Sequence, residues 1–337
     1  MTSPQSIDDI RRLCSNLPEA DSDAAKAAAA RQAVLTKPPG SLGRLEELAI
    51  QLAGWQGREI PKLDKVEVLI FAGAHGITAR GVSAFPDAVN AQMVANFEAG
   101  GAAINQLSSA AGASLKVFSL RLDTPTQDFT QAPAMSEEEF VEAVAAGFDA
   151  IGPDTDLITI GEMGIGNTTT AATIAAALFG GDGASWVGRG TGVDDEGLKR
   201  KADTVDAALA LHKDAMIDAV EVLRRVGGRE LAGMFGAVLA ARLCRIPVII
   251  DGFVATAAAA VLAKQSGGGL AHAIAGHVSA EAQHRRLLDH LGLEPLLDMG
   301  MRLGEGTGAC LAINILRGAV ACHAGMATFA EAGVSDK

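Results

Sequence analysis

Five short apolar runs punctuate this chain, and helical segments rich in alanine lie between them. The runs are Val66–Ala72, Leu115–Leu120, Leu157–Ile160, Ser185–Val187 and Pro247–Ile250. Between and after them the pattern reads as helix over Ala88–Ala111, Glu137–Ala146, Thr168–Phe179, Asp195–Leu223, Arg229–Cys244 and Ala255–Lys264. A short continuous apolar run that ends in glycine has the signature of a buried strand. Buried strands alternating with helices predict βαβ units, hence a parallel sheet covered on both faces. The first residues, 1 to about 60, and the last, from 307 to 337, read as helices instead. They are expected to pack together as a small helical domain beside a large α/β domain over 61–306.

Composition agrees with closely packed helices on a sheet. Of 337 residues, 49% are hydrophobic, with 39 glycines and no tyrosine, so a β-sandwich rich in aromatics is disfavoured. The formal net charge of −12 leaves no global basic field for nucleic acid, and an anionic membrane would repel the surface. An anionic substrate therefore needs local positive potential, from helix N-termini or from Arg189, Lys201 or Arg302. The uncharged stretch Met163–Gly181 contains Asn167, threonines and scattered glycines, which argue against a membrane span. Four cysteines (Cys14, Cys244, Cys310, Cys322) lie far apart, without zinc or disulfide spacing. They are expected to be free buried thiols in a reducing compartment. Met1–Arg12 carries acids and no apolar core, unlike a signal peptide, and a cytoplasmic location is expected.

In open parallel sheets, ligands bind beyond the carboxyl ends of the strands. His75, Glu162, Arg189 and Asp251 each fall just after a predicted strand, so they converge on one rim. Three glycine-rich turns stand out there. Gly161-Glu162-Met163-Gly164-Ile165-Gly166-Asn167-Thr168 is a strand, a glycine loop and a helix start. It reads as an anion site on free backbone N–H groups, or as a tight turn capped by Asn167 or Thr168. Gly188-Arg189-Gly190-Thr191-Gly192 precedes a helix carrying Lys199, Arg200 and Lys201. Lys201 either reaches an anion or belongs to a solvated basic face. Leu303-Gly304-Glu305-Gly306-Thr307-Gly308 isolates a glutamate between glycines at a third helix start. Glu305 is a general base there, or a surface turn acid favoured by the helix dipole. Burial would raise its pKa while the helix start would lower it. His75 is a structural histidine or a catalyst. Asp251 is a cap for the segment after Gly252, or a clamp on a ribose hydroxyl. His272 and His277 lie five apart with no zinc-motif glutamate, so no metal site is expected.

Taken in order, Lys37-Pro38-Pro39-Gly40-Ser41-Leu42-Gly43, Gly81-Val82-Ser83-Ala84-Phe85-Pro86, the Glu162 and Arg189 turns, Gly276-His277-Val278-Ser279 and the Glu305 turn resemble the nicotinate-nucleotide–dimethylbenzimidazole phosphoribosyltransferases. The likeness runs from about Lys37 to about Ala332. It implies an α/β fold: a Rossmann-like parallel sheet flanked by helices, with a small helical domain built from both chain termini, in a homodimer. It implies transfer of ribose 5-phosphate from nicotinate mononucleotide to 5,6-dimethylbenzimidazole, without a cofactor, in cobalamin biosynthesis. By the same resemblance Glu305 is the base and Glu162 a second active-site carboxylate. Lys201, Gly164, Gly166, Asn167 and Thr168 match phosphate-binding positions, with Arg189 and Gly190 in the neighbouring turn. Asp251, Ser279 and Arg302 match nearby polar positions, and Ser83, Phe85 and Gln92 fall where the base pocket is expected. A different azole or purine acceptor, and a non-catalytic nucleotide sensor, are the alternatives.

Overall fold

The computed structural model describes residues 2–190 and 192–335, so Thr191 of the second glycine turn lies outside the described residues. Its strands are β1 Val66–Ala72, β2 Ser114–Ser119, β3 Leu157–Met163, β4 Val248–Ile250 and β5 Ala273–Ala275, followed by β6 His277–Val278 and β7 Leu297–Asp298. The first five form one parallel sheet in the order β2-β1-β3-β4-β5, and β6 pairs with β7 separately.

Alternation along the strands divides the interior in two. Leu69, Phe71, Ile158, Ile160, Val248 and Ile250 enter one core, with the helices Glu137–Asp149, Asn167–Phe179, Arg229–Leu243 and Phe253–Gln265. Val66, Val68, Ile70, Leu157 and Ile249 enter the other, with helices Arg44–Gln56, Ala103–Ala110 and Thr307–Gly325. Burial on both faces is why the strands read as continuous apolar runs. Small residues let the helical layer close up. Gly147 and Gly236 sit where helices Glu137–Asp149 and Arg229–Leu243 touch backbone to backbone; an added Cβ at Gly147 would lie 1.8 Å from the Gly233 carbonyl oxygen.

The chain ends meet through Arg31, which donates to the carbonyls of His323, Ala324 and Met326, and through an antiparallel bridge between Leu35 and Thr328. Helix Ile7–Cys14, however, joins the first core, on the far side of the sheet from Arg44–Gln56. Thr307–Gly325 is the one helix among the described residues long and apolar enough to cross a bilayer; its Ala309, Ile313 and Leu316 are packed in the second core.

Several sequence expectations give way to local chemistry. Ser185–Val187 is not a strand. Asp182 accepts from Ser185 N at 2.9 Å and caps a helical turn, Gly183–Trp186, that buries Trp186. The helix expected over Ala88–Ala111 splits at Gly100, whose φ is +78°. The one expected over Asp195–Leu223 ends at His212, and Asp218 caps a new helix, Ala219–Val226. The last helix stops at Gly325 before Thr328 caps Phe329–Ala332. Strands β5, β6 and β7 have two or three residues each, too short for any period to register. Of the four thiols, Cys14 and Cys310 are buried but Cys244 is exposed, contrary to expectation.

Candidate active site

The strand order changes direction at β1 and β3, and the functional turns gather near the carboxyl ends of β3, β4 and β6. Arg189 reaches this rim from a helical turn rather than from a strand.

The Glu305 turn is held in an unusual backbone. Gly304, Glu305 and Gly306 have φ of +83°, +60° and +75°. Glycine adopts this region freely, whereas glutamate is strained in it, so the surroundings must hold it there. Two contacts do so. Gly306, the residue before helix Thr307–Gly325, has no side chain to cap that helix, and Asp251 caps it from β4 instead. Asp251 Oδ2 accepts from Gly306 N at 3.2 Å and Oδ1 accepts from Ala309 N at 2.9 Å. Gly161 of β3 lies flat against the turn; a Cβ there would sit 2.4 Å from Gly306 N. Asp251 thus caps the distant helix rather than the segment after Gly252, and both its oxygens face backbone amides. It lies beneath the cleft, not along its lining.

Glu305 itself is only 6% exposed, and its Oε2 is buried without a hydrogen-bond partner. Burial, reinforced by the Asp251 charge, pushes its carboxyl up to about 6. Desolvation therefore outweighs the helix start, yet the group remains mostly ionised at neutral pH. A desolvated carboxylate in that state has the properties of a general base.

Glu162 lies against Gly304, the residue before Glu305, where an added Cβ would meet Glu162 Oε1 at 2.4 Å. Glu162 Oε2 accepts from Asn167 Nδ2 at 2.5 Å. Burial pushes Glu162 up to about 8; the Asn167 bond opposes this, and the charges of Asp251, Glu230 and Glu305 add to it. Both carboxyls are thus raised, Glu162 more than Glu305.

Beside them, Gly166 (φ +93°) opens the N-terminus of helix Asn167–Phe179 into the cleft. Lys201 is 1% exposed, not part of a solvated face. Its Nζ donates to Thr168 Oγ1 at 2.9 Å and to Gly188 O at 2.7 Å. Burial pulls its ammonium down to about 8, opposed by Glu281. A helix N-terminus and a desolvated ammonium side by side make a niche for a phosphate monoester.

The cleft brings together Glu162, Gly164, Asn167, Thr168, Gly190, Ser279, Arg302 and Glu305. The adjoining niche adds Ser83, Gly166, Arg189 and Lys201. Arg302 donates to Gly190 O at 3.1 Å, tying the two turns together, while Arg189 leans outward onto Asp195 at 2.5 Å. Phe85 is 48% exposed and Gln92 is exposed on helix Ala88–Glu98; neither lines the cleft. The apolar wall comes from Phe253 and Val254, which the sequence reading did not single out. Glu281 and His277 also line the cleft. The sequence reading gives His277 no role of its own beyond its place in the Gly276–Ser279 motif; its Nε2 lies 3.3 Å from Asp251 Oδ1. Ser279 N donates to His284 Nδ1 at 2.9 Å, leaving the buried Ser279 hydroxyl without a partner. Burial holds His284 down at about 3, so it is neutral and its Nε2 carries the proton towards Thr256. Among the described residues, no three His, Cys, Asp or Glu groups are placed to share a metal ion.

Comparison with known proteins identifies the family. A phosphoribosyltransferase family model matches residues 17–334. A nicotinate-nucleotide–dimethylbenzimidazole phosphoribosyltransferase of Mesorhizobium japonicum is 62% identical over 333 residues, covering 99% of both chains. One of Cereibacter sphaeroides is 60% identical and covers 98% of both. The crystal structure of CobT from Thermus thermophilus is 43% identical, with a TM-score of 0.88 over 94% of this chain and 100% of that one. The chain belongs to the nicotinate-nucleotide–dimethylbenzimidazole phosphoribosyltransferase family.

Proposed function

We propose that the protein transfers the ribose 5-phosphate of nicotinate mononucleotide to 5,6-dimethylbenzimidazole, giving α-ribazole 5′-phosphate and nicotinate, in cobalamin biosynthesis. The observation that carries this reading is the pair Glu305 and Glu162, lining one cleft beside the Lys201 niche. Lys201 and the N-terminus of helix Asn167–Phe179 hold the phosphate. One azole nitrogen attacks C1′ from the face opposite the nicotinate, inverting that centre. The C1′–N bond breaks with its electron pair returning to the pyridinium ring, which leaves neutral and needs no acid. The other azole nitrogen gives its proton to Glu305. Glu162, as a carboxylate, eases the positive charge that builds on the ribose. Phe253 and Val254 offer apolar surface to a ring. The protein acts as a homodimer in the cytoplasm, away from membranes, and takes no cofactor.

The direct assay is release of nicotinate from nicotinate mononucleotide, which should require an added azole. Release without one, or none with any azole, would defeat the reading. In a panel of acceptors, preference for adenine over dimethylbenzimidazole would assign a purine acceptor instead.

A second measurement addresses Glu162. With its carboxyl near 8, it is mostly protonated at pH 7 in the free protein. The cationic nicotinate ring favours the ionised form. Binding nicotinate mononucleotide at pH 7 should therefore release most of a proton, seen as a buffer-dependent binding enthalpy. Glu162→Gln should abolish that release, and its persistence in the variant would remove Glu162 from the role.

A further inference from the structure

A second buried pair lies directly beneath the cleft floor, and the chemistry above does not use it. His75 follows β1, and Glu230 stands in the first turn of helix Arg229–Leu243. Both side chains have zero exposure, and His75 Nε2 meets Glu230 Oε1 at 2.5 Å. The other ring nitrogen, Nδ1, lies 3.3 Å from Thr170 Oγ1 on helix Asn167–Phe179. A carboxylate at this depth needs a partner for its charge, and the imidazole provides one.

Three glycines make room for the pair. An added Cβ at Gly73 would sit 2.2 Å from Glu230 Oε2, and one at Gly228 would sit 2.2 Å from His75 Cε1. At Gly164 it would sit 2.6 Å from Glu230 Oε1, 3.2 Å from His75 Nε2 and 3.0 Å from Asn167 Nδ2. Gly164 lines both the cleft and the phosphate niche. The pair therefore presses on the underside of the turn whose Asn167 holds Glu162.

We infer that His75 and Glu230 are positioning residues: together they fix the Gly164–Asn167 turn, and through Asn167 they set the place of the Glu162 carboxyl in the cleft. They touch no substrate. This rests on the function proposed above, with Glu162 acting at the ribose. Removing the charge of Glu230 lengthens a charge-assisted bond and lets the turn shift by tenths of an ångström. It also removes one of three carboxylates that act on Glu162. The others are Asp251 after β4 and Glu305 before helix Thr307–Gly325. His75 stands behind Glu230, and His277 enters the same cleft from β6.

The test compares Glu230→Gln with the unaltered protein. The expected result is a kcat about tenfold lower, because misplaced groups lose rate steeply, with KM for nicotinate mononucleotide within about twofold. The proton released on binding that nucleotide at pH 7 should shrink, since losing a like charge lowers the Glu162 pKa. A lower melting temperature with kcat, KM and proton release unchanged would overturn the proposal, leaving a merely structural pair. Should Glu230→Gln not fold, His75→Ala, which leaves Glu230 without its partner, is measured for kcat and KM by the same criteria; its proton release should not shrink, because the Glu230 carboxyl stays. Nicotinate release by the unaltered protein checks the underlying reaction separately, so failure of that reaction is distinguishable from failure of the pair.

Discussion

Glu305→Gln is expected to lose about 10²- to 10⁴-fold in kcat, the range in which general bases contribute. The substitution is nearly isosteric, and the strained turn around it is held by Asp251 and Gly161 rather than by the glutamate side chain. The fold of the site should therefore survive. Lys201 and the Thr168 hydroxyl are untouched, so affinity for nicotinate mononucleotide should stay within about twofold. What disappears is the only destination for the azole proton in the proposed mechanism. A graded control follows from the same logic. An acceptor with a more acidic N–H depends less on the base and should suffer a smaller loss. Stopped-assay kcat values for two or three benzimidazoles of differing acidity would show it. Turnover within a few-fold of normal, or a loss that ignores acceptor acidity, would remove Glu305 from the role of base.

The sequence carried this site unevenly, and the reasons are physical. Glu305 was visible because glycines on both sides mark a turn that must enter positive φ. Its two supports were not visible, because Asp251 and Gly161 come from other strands and only the sheet brings them there. Lys201 reads either as an anion ligand or as one of three charges on a solvated helix, and its helical phase separates the two. Gly197, Lys201, Val205 and Ala208 share the buried face, whereas Lys199 and Arg200 point out. The parallel sheet was legible from Val66–Ala72 and Leu157–Ile160, since strands buried on both faces leave unbroken apolar runs. Ser185–Val187 failed because three apolar or small residues cannot outweigh a capping aspartate just before them. Glu230 gave no signal at all: nothing near Arg229-Glu230-Leu231 says that β1 ends beneath it.

Gly161→Ala should be nearly as damaging as removing the base, although Gly161 carries no functional group. The methyl carbon would lie 2.4 Å from Gly306 N, 2.5 Å from Gly306 Cα and 2.7 Å from the Glu305 carbonyl carbon. These are backbone atoms, so no side chain can swing aside. Either β3 retreats from its neighbours or the Glu305 turn lifts away. The strand is the stiffer of the two, because Gly161 is in register with Ile70 of β1 and the preceding residues Ile158–Ile160 pair with β4 as well. The turn should therefore move, stretching the 3.2 Å bond from Gly306 N to Asp251 that helps hold Glu305 at positive φ. Overpacking of this kind costs about 1–3 kcal/mol of stability, and displacing a catalytic group by about 1 Å can cost about 10²-fold in rate. The expected outcome is a folded protein with a lowered melting temperature, about 10²-fold less kcat, and phosphate-side binding largely kept, because the Lys201 niche does not include the Glu305 turn that moves. Equal losses in nucleotide affinity and kcat would mean that the strand yielded instead of the turn. Undiminished kcat would mean that Glu305 does not depend on the backbone that holds it.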